Sequence, residues 1–446
     1  MGRARAHTRG GTPGRVVARA RGRGQGRGGG GRARVLVGFG VFGVFWGTWG
    51  ALVPEVQARA GVGDGELGVA VLMIGLGALC TMRPAGAAVD RYGTWAVAAC
   101  LLSMAVAAVL TGLATGGPQL MAALAVLGAA SGAVDVAVNA MASAEESRSG
   151  RLLNAAHACF SAAVVLGALA TGFGLGRGVG AGSLLAVAAA LLAGAATVIG
   201  LSGDGGEPGG RVLSRDRRRA DRAGRAAGRG GRVARSPGRG GQEAPRRVAS
   251  RPLLVLGLLC ALAFLVENAW QSWSAVMLRS EFHLGAGASA AGPVVFAASA
   301  TAGRLAGHGL ASRLAHRRLL VLGALVGAAG TLGAAAARDG REMLAGLVVA
   351  GLGTSVCAPT ILSLAGALAR PEVRSSSLAV VTSVGYAGFL VGPAAVGLAA
   401  SATGLRATFC GVAAVAVVLA ICAVSTGAMA APHATPPTAD GRACRP

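Results

Sequence analysis

The sequence predicts an all-α membrane protein of twelve transmembrane helices in two pseudo-symmetric six-helix halves. Of its 446 residues, 53% are hydrophobic and only 13% are charged, which is too apolar for a soluble chain of this length. Its apolar runs are about twenty residues long, the length that a helix needs to cross the hydrocarbon layer. A long polar segment separates the runs into two equal groups, which indicates two similar halves.

Each apolar run is bounded by charged residues, glycine or proline, and we interpret each run as one helix. The predicted spans are 35–56, 66–89, 94–114, 119–142, 152–175 and 179–201 in the first half, and 252–278, 288–310, 319–337, 343–369, 375–401 and 407–430 in the second. The halves then occupy residues 35–202 and 252–430. Residues 1–34 are expected to form a disordered arm rich in arginine and glycine, residues 203–251 a linker and residues 431–446 a tail.

Arginine is concentrated on one side of this arrangement. Residues 1–34 contain ten arginines and residues 203–251 contain fourteen, within a net charge of +24. Loops on the same side carry Arg91, Arg148, Arg151, Arg313, Arg317, Arg318, Arg370 and Arg374. Because positive residues near span ends are retained in the cytoplasm, we expect a plasma-membrane protein with both termini and the linker in the cytoplasm. Neither basic segment contains an aromatic residue for base stacking, so nucleic acid is not an expected partner.

One motif follows the second span. Gly86 is followed four residues later by Asp90, then by Arg91 and Gly93. This pattern resembles the loop between spans two and three of the major facilitator superfamily, although Thr94 and the residue after it depart from the family's basic continuation. The resemblance implies the MFS fold and a gating or structural role for Gly86, Asp90, Arg91 and Gly93. A degraded copy that lacks the acid, at residues 303–313, assigns Arg304 to the same class.

Four further stretches narrow the resemblance. They are GAVDVAVNAM at 132–141, RLLNAAHACFS at 151–161, ENAWQSWSAV at 267–276 and GYAGFLVGP at 385–393. Together they are similar to the YbjJ-like branch of the superfamily, which is related to fucose permease. The resemblance implies transport and places an acid of the fourth span at Asp135, but it implies no known substrate. The second acid of fucose permease, in the first span, is replaced here by Gly50.

Ionisable groups inside a membrane span are costly, so each is a functional candidate. Asp135 is the first candidate for proton coupling, because a carboxyl group in a central cavity can take a proton on one side and release it on the other. Glu267 is the second candidate. The alternatives are that Asp135 forms an interhelical hydrogen bond or pairs with Arg304, and that Glu267 is structural. His157 is either a proton carrier or, as we favour, a structural hydrogen-bonding residue.

Polar and aromatic side chains near these acids are candidates for substrate binding. The polar candidates share helix faces with one another or with the acids. The tryptophans form two pairs, and the two members of each pair lie one helical turn apart. Each pair could form a flat wall of the cavity or an anchor at the lipid interface. The full set is Asn139, Asn154, His157, Trp46, Trp49, Trp270, Trp273 and Tyr386.

These observations predict a proton-coupled symporter of small polar solutes, with sugar-like solutes as the leading class, that works as a monomer by alternating access. Its partners would be the solute, protons and the lipid bilayer, and no cofactor or metal is expected. One alternative is a drug or metabolite efflux antiporter, although residues 152–175 lack the proline typical of such exporters. Another is a sensor that has lost transport. An enzyme is not predicted, because no cluster of His, Asp, Ser or Cys lies at a loop.

Overall fold

The computed structural model describes residues 28–149, 152–202, 251–369 and 374–425, and these form a bundle of long helices. The first half contains α1 (Gly28–Ala60), α2 (Asp64–Tyr92), α3 (Thr94–Leu113), α4 (Gly117–Ser149), α5 (Leu153–Gly176) and α6 (Ala181–Leu201). The second contains α7 (Arg251–Ser280), α8 (Ala291–Ala311), α9 (His316–Ala335), α10 (Gly340–Leu368), α11 (Arg374–Thr403) and α12 (Leu405–Ser425). The predicted twelve helices in two halves are confirmed.

Eleven helices among the described residues are long and apolar enough to cross a membrane. The exception is α8, which carries Arg304 and His308 in its second half. Its 21 residues are long enough for a span, but these polar side chains lower its mean hydropathy. The helix whose composition is least typical of a membrane span therefore carries a charged residue of the candidate site.

Some helix boundaries differ from the predicted ones. The helix α1 begins at Gly28, inside the predicted arm, because its first turns pack on other helices. A side chain at Gly31 would overlap Glu145 of α4, and Arg34 Nη1 donates a hydrogen bond of 2.8 Å to the Ser202 carbonyl after α6. Arg251 belongs to α7 and not to the linker. The remainder of the predicted arm and linker, and the predicted tail, lie outside the described residues.

The helix α10 is predicted as one uninterrupted span but consists of Gly340–Thr354 and Cys357–Leu368. Pro359 has no N–H group to donate to the Ser355 carbonyl, which weakens the helix at this turn. Helix α8 packs against the break, since a side chain at Gly303 would lie 2.6 Å from the Leu352 carbonyl oxygen. This contact fixes the position of the neighbouring Arg304.

Glycines allow several helix pairs to touch through their backbones. A side chain at Gly43 or Gly47 of α1 would overlap carbonyl oxygens of α5, and one at Gly388 of α11 would overlap the Ala261 carbonyl of α7. In lipid, where water does not drive helices together, such close packing supplies much of the association energy. The pairs α1–α5 and α7–α11 are therefore closely packed, and the candidate site residues lie on them and their neighbours.

The two halves meet at one end of the bundle. We call the end at residues 202 and 251 the linker end and the opposite end the distal end. At the distal end a side chain at Gly397 of α11 would lie 2.8 Å from the Gly68 Cα atom of α2, and one at Gly172 of α5 would lie 2.8 Å from the Ala290 Cβ atom before α8. Towards the linker end, His157 of α5 and Tyr386 of α11 are exposed. The space between the halves therefore opens towards the linker end.

Candidate functional site

A buried ion pair joins α7 to α8. Arg304 Nη2 contacts Glu267 Oε1, and the Glu267 side chain is only 6% exposed while that of Arg304 is 44% exposed. Gln271, one turn further along α7, donates a hydrogen bond of 3.3 Å to the same carboxylate oxygen. A buried carboxylate needs such partners, because desolvation of an unpaired charge is costly. In this structure Arg304 pairs with Glu267 and not with Asp135, the alternative partner.

Asp135 lies in the middle of α4 and is partly buried. Asn139 Nδ2 donates hydrogen bonds of 3.1 Å to Asp135 Oδ1 and 2.9 Å to its carbonyl oxygen. The carboxylate forms no ion pair with any described residue, although it interacts electrostatically with His157 of α5. It also interacts with Tyr386 of the second half. Asp135 therefore faces the space between the halves with one amide as its fixed partner.

The remaining polar candidates of the first half lie on α5. Asn154 and His157 are both exposed, and the His157 ring meets Phe39 of α1 edge-on, with ring centres 5.2 Å apart. This aromatic contact supports one side of the imidazole. The structure brings His157 within electrostatic reach of Asp135, and the role of His157 and Asn154 in substrate binding stays a prediction.

The tryptophans of α7 do not form a cavity wall. Trp270 donates a hydrogen bond of 3.0 Å to Thr331 Oγ1 and stacks on Phe409, with ring centres 3.9 Å apart. Trp273 donates to the Pro393 carbonyl at 3.2 Å, and both side chains are fully buried. These large side chains are stabilised by burial, and their N–H groups find partners inside the second half. That Trp270 and Trp273 bind substrate stays a prediction that this conformation does not support.

The tryptophans of α1 differ from each other in exposure. Trp49 is buried in the core, so it has no free face to offer as a wall. Trp46 is partly buried and meets the rings of Phe42 and Phe45 edge-on. Only Trp46 of the four predicted tryptophans keeps accessible surface.

A different group of aromatic residues lies between α7 and α11, two of them exposed and Phe264 half-buried. Tyr386, Phe389 and Phe264 have ring centres 6.0 to 6.3 Å apart, and Tyr386 is 47% exposed while Phe389 is 42% exposed. We call these three residues the aromatic cluster. Tyr386 was among the predicted binding residues, whereas Phe264 and Phe389 were missed. The available signal was the spacing of Tyr386 and Phe389, one turn apart in α11.

The predicted gating motif lies at the linker end. A side chain at Gly86 would lie 3.6 Å from Val136 Cγ1 of α4, so the glycine brings α2 close to the helix of Asp135. Gly93 has φ +58° and ψ −131°, a backbone conformation that favours glycine, and it turns the chain from α2 into α3. Asp90 is exposed, and the Arg91 guanidinium lies 5.3 Å from the Tyr92 ring centre. The gating roles of these residues remain predictions.

A second ion pair crosses between the halves at the distal end. Arg279 Nη2 of α7 lies 3.5 Å from Glu55 Oε1 of α1, and Arg279 Nη1 also donates to the Leu284 carbonyl at 3.0 Å. No sequence pattern joins these two residues, because they lie in different halves. Among the described residues, no group of three or more His, Cys, Asp and Glu side chains is placed to hold a metal ion.

Two six-helix halves that enclose ionisable and polar side chains define a multi-pass membrane transporter. The family model of the Major Facilitator Superfamily matches residues 35–341 and 294–443, which together span most of the chain. The chain therefore belongs to the Major Facilitator Superfamily.

Known relatives and solved structures agree with this family. An uncharacterised MFS-type transporter of Yersinia pestis is 31% identical over 383 residues, which cover 83% of this chain and 89% of the relative. The membrane protein MosC of Rhizobium meliloti is 28% identical over 389 residues, covering 86% and 88%. The nucleoside transporter NupG has the same fold with a TM-score of 0.66, 12% identity and coverage of 89% and 99%. A bacterial homologue of the lysosomal transporter Spinster, in an inward-facing and occupied conformation, has a TM-score of 0.66, 14% identity and coverage of 89% and 96%.

Proposed function

We propose that this protein is a secondary active transporter that moves a small polar solute across the plasma membrane by alternating access, coupled to protons. Sugar-like solutes are the leading substrate class. One observation carries the proposal: a carboxylate of the first half, Asp135, and a group of polar and aromatic side chains of the second half face the same space between the halves. A site shared by both halves changes its access when the halves rock against each other.

Closure at only one end supports alternating access. The distal end is closed by backbone contacts such as that between Gly68 and Gly397 and by the ion pair of Glu55 with Arg279. The arginine bias of the loops assigns the open linker end to the cytoplasm. This conformation is then the inward-facing state of the cycle, with both termini in the cytoplasm. The outward-facing state requires the distal contacts to separate.

The two intramembrane acids have different partners, and this difference supports different roles. Glu267 is held by Arg304 and Gln271, so a proton that binds it must displace an existing ion pair. Asp135 accepts a hydrogen bond from one amide, interacts with His157 and forms no ion pair with a described residue, so it can be protonated without breaking an ion pair. We assign the coupling proton to Asp135, and we assign Glu267 to control of the exposed charge of Arg304.

Transport by purified protein in vesicles tests the function. Radiolabelled sugars, sugar acids, amino acids and nucleosides are offered singly to the reconstituted monomer, with an alkaline interior or with equal pH on both sides. The proposal expects accumulation of at least one polar solute that depends on the pH gradient and collapses when a protonophore is added. Accumulation that is the same with and without the pH gradient would contradict proton coupling, and absence of any transport would contradict the proposed function.

The same vesicles separate the rival functions. An efflux antiporter would release a preloaded solute faster when protons enter from the opposite side, whereas a symporter would retain it under that gradient. A sensor would bind a solute without moving it.

The four stretches that resemble the YbjJ-like branch also support our proposal that the chain belongs to that branch.

A further inference from the structure

We propose that the aromatic cluster of Phe264, Tyr386 and Phe389 is the surface on which the transported solute lies, and that this solute is a saturated ring with a C–H face and hydroxyl groups at its edge. The proposal rests on the proposed transport function and adds the substrate class and two binding residues to it.

The helix face that carries the cluster points between the halves. Tyr386, Phe389, Pro393, Val396 and Ala400 share one face of α11, since they are spaced alternately by three and four residues. Near the distal end this face is buried, with Val396 3% and Ala400 5% exposed, but Tyr386 and Phe389 are open. Val391 and Leu398, on the opposite face, are both exposed, as expected of a surface that contacts lipid along its length. The cluster is therefore exposed because the halves separate there.

The rings are held on a rigid base. Asn268 Nδ2 of α7 donates a hydrogen bond of 2.6 Å to the Phe389 carbonyl, and a side chain at Gly385 of α11 would lie 3.3 Å from the Phe264 ring. Backbone contact between Gly388 and Ala261 fixes the same pair of helices. Aromatic rings that are already ordered lose little conformational entropy when a ligand binds. The cluster is thus preorganised for contact with a solute.

The tilt of the three aromatic side chains favours a solute with a puckered ring over a solute with a flat one. Interplanar angles are 40° between Phe264 and Tyr386, 64° between Tyr386 and Phe389, and 87° between Phe264 and Phe389. Three rings tilted in this way do not share one plane. A saturated ring can place C–H groups against several ring faces at once, whereas a flat aromatic solute can stack face to face on only one of them.

The opposite wall supplies the polar complement. Asp135 of α4 offers a carboxylate towards Tyr386, and Asn139 donates a hydrogen bond to that carboxylate. A carboxylate accepts hydrogen bonds from hydroxyl groups. Phe264 is one turn from Glu267 in α7, so the ion pair with Arg304 borders the cluster. A ring solute can therefore contact the second half through its C–H face and the first half through its hydroxyl edge.

Ring closure is the property that the test isolates. Thermal stabilisation of the purified full-length protein is measured with D-galactose, D-glucose and L-fucose, each compared with its open-chain alditol, and with uracil as a flat probe that has no sugar ring. The proposal expects at least one ring sugar to raise the melting temperature where its alditol does not. Equal effects of ring and alditol, binding of uracil without any ring sugar, or no binding by any ring sugar would overturn it.

Variants assign that binding to the cluster. Removal of one stacked ring costs about 0.5–1.5 kcal/mol, so Phe389→Ala and Phe264→Ala should weaken ring-sugar binding about two- to twelvefold. Phe389→Leu keeps most of the volume without the aromatic face and guards against misfolding of the alanine variant. Val391→Ala, on the opposite face of α11, is the matched control and should bind normally. Unchanged affinity in both phenylalanine variants would contradict the cluster even if vesicle transport persists, whereas ring-dependent binding without transport would contradict the proposed function alone.

Discussion

Glu267 of α7 is the buried counterion of Arg304 of α8, and the pair joins two helices of the second half beside the space between the halves. The two partners differ in exposure, which makes the effects of removing them unequal. Glu267 would remain buried without Arg304, while Arg304 could still reach water without Glu267.

The first prediction follows from this asymmetry. Arg304→Gln leaves a desolvated carboxylate and should destabilise the protein by about 3 kcal/mol, the lower end for breaking a buried pair. Glu267→Gln should cost less, because the guanidinium stays hydrated. The double variant should recover part of the loss of Arg304→Gln. Melting temperatures of the four proteins in detergent form the double-mutant cycle. Equal, additive losses would show that the two side chains are not coupled.

The second prediction concerns closure of the distal end. A leucine at Gly397 would overlap the Gly68 backbone and the Asp64 carbonyl, so Gly397→Leu should keep the distal end open. If the substitution shifts the equilibrium between the inward-facing and outward-facing states by more than about 1.4 kcal/mol, transport should fall at least about tenfold. A cysteine replacing the buried Ser289 should then become accessible to external reagents.

Gly411 of α12 is the matched control, because a side chain there meets no atom within 4 Å. Gly411→Leu should leave transport and labelling at Ser289→Cys unchanged. Normal transport by Gly397→Leu would show that the distal contact does not separate during the cycle.

The third prediction concerns orientation. Cysteines introduced into residues 203–250, which lie outside the described part of the chain, should resist a membrane-impermeant reagent in intact cells and react after the cells are opened. A cysteine at Gly180, exposed in a distal loop and with open space around it, should react in intact cells and serves as the control. Ready external labelling of the linker would reverse the topology and make the observed conformation outward-facing.

Sequence and structure agree on the features that the thickness of the membrane determines. The length of a span is visible in composition, and so twelve helices and their grouping follow from the apolar runs. The break in α10 was missed although Pro359 was visible, because prolines inside membrane helices are often accommodated without a break. The early start of α1 was missed because glycines that disfavour an isolated helix are held here by contacts with α4 and the end of α6.

Helical periodicity in the sequence predicts only part of the candidate site. Periodicity places Asp135 and Asn139 on one face of α4, and the structure keeps them together. Periodicity gives Trp270 and Trp273 a common face as well, but it does not say which neighbour covers that face, and Phe409 and Pro393 do. The pairing of Glu267 with Arg304 depends on the rotation of two separate helices about their axes, which tertiary packing alone decides.

The central claim is that Asp135 carries the coupling proton. Asp135→Asn fixes the neutral form and keeps a group that can hydrogen-bond Asn139, so the site should still bind and exchange its solute. Release of a proton is then impossible, and the carrier cannot be driven uphill by a pH gradient. The matched control is Glu66→Gln, an exposed acid at the start of α2 whose hydrogen bond to the Gly63 N–H an amide oxygen can replace.

The most direct measurement compares two activities of the same reconstituted Asp135→Asn protein, using a solute that the unaltered protein accumulates. One is the exchange of labelled for unlabelled solute at equal concentrations, and the other is accumulation driven by an alkaline interior. The account predicts that exchange continues while accumulation falls to the level seen with a protonophore, and that Glu66→Gln retains both activities. Accumulation by Asp135→Asn equal to that of the unaltered protein would contradict the claim and transfer the coupling role to Glu267.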